Sequence, residues 1–226
     1  MALKSFRRVL MILVVGLCLL VVGIGFCAVH IRTSAAALID SARRINSTAD
    51  ADREIAFWRG RSGPQFWQES DHLGGDHNYE GQIENLLLSR LGVVEPAAVT
   101  LSITTRSGEL RCVTLMMTAG RKATGTPSVW IQEWFDRDMA PHFRVGQKDR
   151  PWAGVVEFSA SVPEAQRDKA LALNAKCFVQ FNGCKDAADI LPGIWELEAA
   201  ISGYLSPESS DPTRAQARLE PSTYDP

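Results

Sequence analysis

"AVTLSITTRSGELRCVTLMMTAG", residues 98–120, decides the fold. Val99, Leu101 and Ile103 alternate with Thr100, Ser102 and Thr104. Strict alternation sends the apolar side chains to one face of a pleated strand and the hydroxyls to the other. "RSGE" (106–109) supplies a turn, and Val113, Leu115 and Met117 repeat the pattern on the return. The stretch therefore reads as a β-hairpin with one face on a core and one toward solvent, the pattern of an antiparallel sheet.

Two later runs extend it. "SVWIQEWFD" (128–136) is rich in aromatic and β-branched residues, and "AGVVEFSASV" (153–162) alternates Val156, Phe158, Ala160 and Val162 with polar partners. Links read as short imply antiparallel neighbours throughout. Ahead of the hairpin, "YEGQIENLLLSRL" (79–91) fits either a strand running into a buried segment or a helical turn after Glu84. The preceding run 59–81 is broken by Gly and Pro and reads mostly as loop. "STADADREIAFWRG" (47–60) reads as a helix in which Ser47 and Asp50 form a capping box and Ile55 and Trp58 share an apolar side. "SVPEAQRDKALALNAKCFVQF" (161–181) predicts a helix capped by Ser161 and Glu164, with Leu171, Ala175 and Phe178 as the stripe that covers the sheet. "KDAADILPG" (185–193) predicts a short helix stopped by Pro192.

The largest feature outside the sheet is Val9 to Ile31, "VLMILVVGLCLLVVGIGFCAVHI", which carries no Asp, Glu, Lys or Arg. As a helix it is about 34 Å long, enough to cross a hydrocarbon core of about 30 Å. Lys4, Arg7 and Arg8 crowd the N-terminal flank, whereas the other flank mixes Arg32, Asp40, Arg43 and Arg44. The denser positive side predicts a cytoplasmic N-terminus and an exported body, a cell-membrane protein crossing once. A cleaved signal peptide is the competing reading, with "GFC" before Ala28 as a passable cleavage site, but its apolar region is normally shorter than this one.

Export bears on the cysteines. Cys18 and Cys27 lie in the apolar run, and Cys177 and Cys184 flank the Asn182-Gly183 turn. In an oxidising compartment they are the expected disulfide, leaving Cys112 as a buried free thiol. The expected fold class is α+β: an N-terminal transmembrane helix, then an extracytoplasmic domain whose antiparallel sheet of about five or six strands packs against a few helices. The divisions are a cytoplasmic N-terminus (1–8), the transmembrane helix (9–31), a helical stalk and loop (32–78), the α+β domain (79–205) and a disordered Pro- and Ser-rich tail (206–226).

Chemistry is harder to find. The formal charge of −2 offers no basic surplus for nucleic acid. Asp71-His72 and Asp76-His77 are metal-ligand types. Five residues apart, however, the two histidines diverge on a helix and take opposite faces on a strand. Only an irregular turn at Gly74-Gly75 would join them, with a distant third ligand such as His142 or Asp136. The simpler reading is a solvated surface loop. "QEWFDRD" gathers Glu133, Asp136 and Asp138, which read as a solvated strand end beside Arg137. G-x-S-x-G is missing, and "GRKATGT" (120–126) reads as a hairpin loop rather than a phosphate cradle. Trp130, Trp134 and Trp152 fall in the β region, the first two on one strand face, and are the candidate ligand groove. The favoured function is a membrane-anchored module binding an envelope protein, peptide or lipid, with no cofactor. The alternative is an anchored metal-dependent hydrolase using His72 and His77.

Overall fold

The computed structural model describes residues 2–61, 67–72, 75–120, 126–135 and 153–197. The 43-residue helix α1 (Ala2–Arg44) leads into α2 (Thr48–Arg61). Then come β1 (Trp67–His72), β2 (Asp76–Glu84), α3 (Leu86–Arg90), β3 (Ala97–Arg106), β4 (Glu109–Ala119), β5 (Ser128–Trp134) and β6 (Ala153–Ser159). Helix α4 (Glu164–Ala170), a 3-10 turn (Ala175–Phe178) and α5 (Ala187–Ile190) close the described chain. The class is mixed α+β, built on one six-stranded sheet in the order β1-β2-β3-β4-β5-β6.

The alternation in residues 98–120 does what it promises. Val99, Leu101 and Ile103 on β3 and Val113, Leu115 and Met117 on β4 are buried, with register pairs such as Leu101 opposite Leu115. Against this inner face lies the second half of α1. Ala35, Leu38, Ile39, Ala42 and Ile45 lie on one side of the helix and its end and are buried, so that side of the segment expected as a stalk packs into the core while Arg32, Thr33, Asp40 and Arg44 stay exposed. Ile55 and Trp58 of α2 join the same core, as do Leu171, Phe178, Ile190 and Ile194 from the C-terminal segments. The junction of α1 and α2 is pinned by polar contacts. Arg44 pairs with Glu54 (2.7 and 2.9 Å), and the Trp58 ring N–H donates to Ser41 Oγ (2.9 Å). The capping box forms as expected: the Asp50 N–H donates to Ser47 Oγ, and the Asn46 N–H donates to the Asp50 carboxylate (3.2 Å).

Five expectations are corrected. β5 and β6 are parallel, Trp130 standing opposite Val155. Residues 135–152 give ample length for the crossover that a parallel pair needs. The sheet also begins at Trp67, so β1 and the start of β2 belong to it rather than to a loop. Polar, charged β1 is an edge strand, where burial does not demand alternation. The long C-terminal helix stops at Ala170, and Asn174 accepts from the Lys176 N–H to start a separate 3-10 turn. Leu171 and Phe178 still reach the core from the shorter pieces. The capping box at Ser161 is absent: Pro163 is the N-cap, and Ser161 donates instead to Ser159 Oγ (3.0 Å).

Glu133 is the fifth correction. It follows Val129 and Ile131 on the inner face of β5 and is 1% exposed, not a solvated strand end. Arg167 of α4 meets it with two bonds, Nε to Oε1 (2.6 Å) and Nη2 to Oε2 (2.9 Å). The same guanidinium donates to the carbonyls of Ala42 (3.0 Å), Arg43 (2.6 Å) and Ile45 (2.8 Å). Those carbonyls lie at the end of α1 and just past it, where the Ala42 carbonyl also accepts a long bond from the Ile45 N–H (3.4 Å), so a buried cation there satisfies their remaining hydrogen-bonding capacity and the helix dipole. Burial pushes the Glu133 carboxyl above its ordinary value of 4.5, while the bonds from Arg167 pull it down.

Removing one side of this pair strands a buried charge, so Arg167→Met is expected to destabilise the fold by about 3–5 kcal/mol. Glu133→Leu combined with Arg167→Met is expected to recover part of that loss, read by urea unfolding. In Arg167→Met the Glu133 pKa rises further above its unfolded value. Its stability is thus expected to increase as pH falls through the folded pKa and level off below 4.5. A variant as stable as the parent at neutral pH would show that the pair does not hold the helix.

Candidate functional site

Three places draw in the residues singled out from the sequence. The first is the β1–β2 hairpin. Its register sets Asp71 opposite His77 and His72 opposite Asp76. Facing residues of an antiparallel pair share a face and the next pair takes the other, so positions 72 and 77 fall on opposite faces. His77 Nδ1 lies 2.5 Å from Asp71 Oδ1, and both side chains are exposed. Asp76 is occupied elsewhere: Arg106 grips it with two bonds (2.6 and 3.0 Å) and Arg111 adds a third (3.1 Å). The hydrogen bond from Arg106 is the main reason that its carboxyl sits below the usual range. A carboxylate so engaged is a poor candidate for a metal. Among the described residues no three His, Cys, Asp or Glu side chains are placed to share a metal ion. Asp136 and His142, the proposed distant ligands, lie outside the described residues, as does Asp138.

The second is the outer face of the sheet, away from the helices. Trp130 and Trp134 do share it, four residues apart on β5; Trp152 lies outside the described residues. The register lines up Thr100, Met116, Trp130 and Val155 across four strands. Alongside runs a polar row of Ser102, Thr114, Gln132 and Glu157. Trp130 is 44% exposed. The Trp134 ring N–H is buried and finds no acceptor among the described residues. Cys112 also belongs to this face but is buried, and desolvation raises its thiol pKa to about 11. A thiol held protonated at neutral pH is no nucleophile.

The third is the loop between Cys177 and Cys184, which form a disulfide with Cα atoms 5.3 Å apart. Gly183 adopts φ +60°, and a Cβ there would come within 3.0 Å of the Glu95 Cβ, so glycine is needed for both turn and fit. The loop is tied to the segment carrying α3 by Asn85, which sequence reading passed over. Its Nδ2 donates to the carbonyls of Glu95 (2.8 Å) and Phe178 (3.0 Å), and its Oδ1 accepts from the Ala97 N–H (2.8 Å). An Asn directly after a strand and before three leucines was the available signal, since asparagine favours the position that starts a helix, although here its side chain makes no cap bond and is spent on the groups above.

These features define a one-sided α+β domain continuous with a long apolar helix. No protein family, curated protein or solved structure matches the chain.

Cys184→Ser is expected to lower stability by about 2–3 kcal/mol, the chain-entropy value for so short a loop. Dithiothreitol should bring the parent protein down to the same level and leave the variant unmoved. Equal stability with and without reductant would show that the bridge contributes nothing.

Proposed function

We propose that this is a single-pass membrane protein whose N-terminal helix anchors an extracytoplasmic interaction module to the cell membrane. One observation carries the reading: a single unbroken helix changes its environment along its length. From Leu10 to Gly23 every residue of α1 is exposed, although nearly all are apolar; from Ala35 to Ile45 the inward side is buried in the domain core. A soluble domain gains nothing by displaying so long an apolar rod, whereas a bilayer accepts it. Among the described residues it is the one helix long and apolar enough to cross a membrane. The basic N-terminal flank favours a cytoplasmic start, and the disulfide suits an oxidising exterior.

The outer sheet face is the candidate binding surface. It offers hydroxyls and amides for hydrogen bonds around one exposed indole, the composition of a protein- or peptide-binding patch rather than of a catalytic cleft. The anchor holds that face at a fixed distance from the bilayer, because helix and domain share a core.

Alkaline phosphatase joined after Pro226 is expected to be active in intact cells, and the protein should stay in the membrane fraction after alkaline carbonate washing. A fusion active only when the cells are broken open, or release by carbonate, would overturn the topology. A photoreactive residue replacing Trp130 should give a discrete protein adduct in native membranes; loss of specificity relative to an inner-face position would remove the outer face as the binding surface.

A further inference from the structure

We propose that the end of the domain nearest the apolar helix sits in the bilayer surface, with Leu86, Leu87, Leu91 and Phe181 immersed at the boundary between headgroups and acyl chains. This rests on the membrane anchoring proposed above, and its observations are separate.

The direction of α1 fixes which end that is. Its C-terminal carbonyls meet Arg167 beside Glu133, near the finish of β5, and Thr48 just beyond accepts from the Leu110 N–H (3.0 Å) at the start of β4. The C-terminus of α1 therefore lies at the end of the sheet that holds the β3–β4 turn. Its apolar half leaves past the opposite end, where Glu84, Ala97, Ala119 and Ser128 begin or finish their strands. Helix α3 lies at that end because it joins Glu84 to Ala97. The disulfide loop is fastened beside it through Asn85 and Glu95, and Gly120 at the finish of β4 touches it too.

This end is apolar where water would be expected. Beyond α1, the large hydrophobic side chains exposed among the described residues are Phe57, Leu86, Leu87, Leu91, Trp130 and Phe181. Four of those six belong to α3, its following turn and the disulfide loop, with exposures of 46%, 58%, 55% and 74% in chain order. A single exposed leucine needs no explanation, but a cluster confined to one end does.

Depth agrees with placement. Helix α1 first becomes half-buried at Ile24, followed by Cys27, Ala28 and Ile31, the last of them packed against the domain core. Ile24 lies seven residues inside the apolar run that closes at Ile31, about 10 Å along the helix. A hydrocarbon core entered at Val9 takes about 20 residues and ends near Ala28. The covered segment thus straddles the interface, and the residues that cap this end of the domain come to the level where leucine and phenylalanine of surface-lying helices reside.

The test uses the full chain in vesicles of phosphatidylcholine and phosphatidylglycerol, with p-benzoylphenylalanine placed at Leu17, Leu87, Phe181 or Glu109 in turn. Leu17 reports the anchor, and Glu109 reports the far tip of the sheet. After irradiation, lipid adducts at 87 and 181 are expected to approach the yield at 17 and exceed that at 109 by about tenfold, as immersion at the interface requires. If 17 reacts while 87 and 181 stay at the level of 109, the seat is overturned and the anchor stands. If 17 also fails to react, the anchoring itself falls and takes this inference with it.

Discussion

The guanidinium of Arg167 joins three parts of the chain at one point in the core. It closes the open carbonyl end of α1, neutralises Glu133 on the core face of β5 and roots α4 between them. Burying two charges is expensive, and well-packed apolar residues of the same volume would often be as stable. What the ion pair adds is position. An apolar stripe on α1 slides along an apolar sheet at little cost, whereas the last carbonyls of a helix can meet one guanidinium in one place. The pair therefore fixes the axial setting of α1, and with it the level at which the domain meets the apolar run.

The other end of the packed half of α1 is held by different chemistry. Asn85 spends its side chain on three backbone groups, and the disulfide closes the loop that they grip. Gly154 completes the packing at the β6 edge of the same inner face, where a Cβ would fall 2.3 Å from Ile194 Cδ1. At that point the segments covering the inner face leave no room even for a methyl group, and among the described residues no helix covers the other face.

Much of the fold was legible because local pattern and tertiary demand coincide. β3, β4 and β6 alternate since each has one wet face, and the Ser47–Asp50 box is a contact three residues long. β1 was invisible for the converse reason: it is an edge strand whose Glu69, Ser70 and Asp71 are exposed, and a polar, charged edge needs no alternation and discourages further pairing. The parallel β5–β6 contact depends on a connection whose path no periodicity encodes. Glu133 was misread although its phase was readable, for it continues Val129 and Ile131. Charge was allowed to outweigh phase, and the partner that makes its burial tolerable lies 34 residues away. The disulfide, by contrast, joins residues seven apart around a turn, close enough for spacing to suggest it once an oxidising compartment is expected.

The same separation explains why the outer face is hard to read as a site. In a domain with helices on one side, that face must stay wettable, and threonine, serine and glutamine achieve this while keeping strand propensity. Hydroxyls there are accordingly no sign of chemistry. Trp130 stands apart from them, a half-exposed indole beside Met116 and Val155 at an outward-facing strand position. An apolar centre ringed by hydrogen-bonding groups is how a surface obtains both affinity and orientation from one partner. On this sheet that arrangement occurs at Trp130, on the one face that the helices leave free.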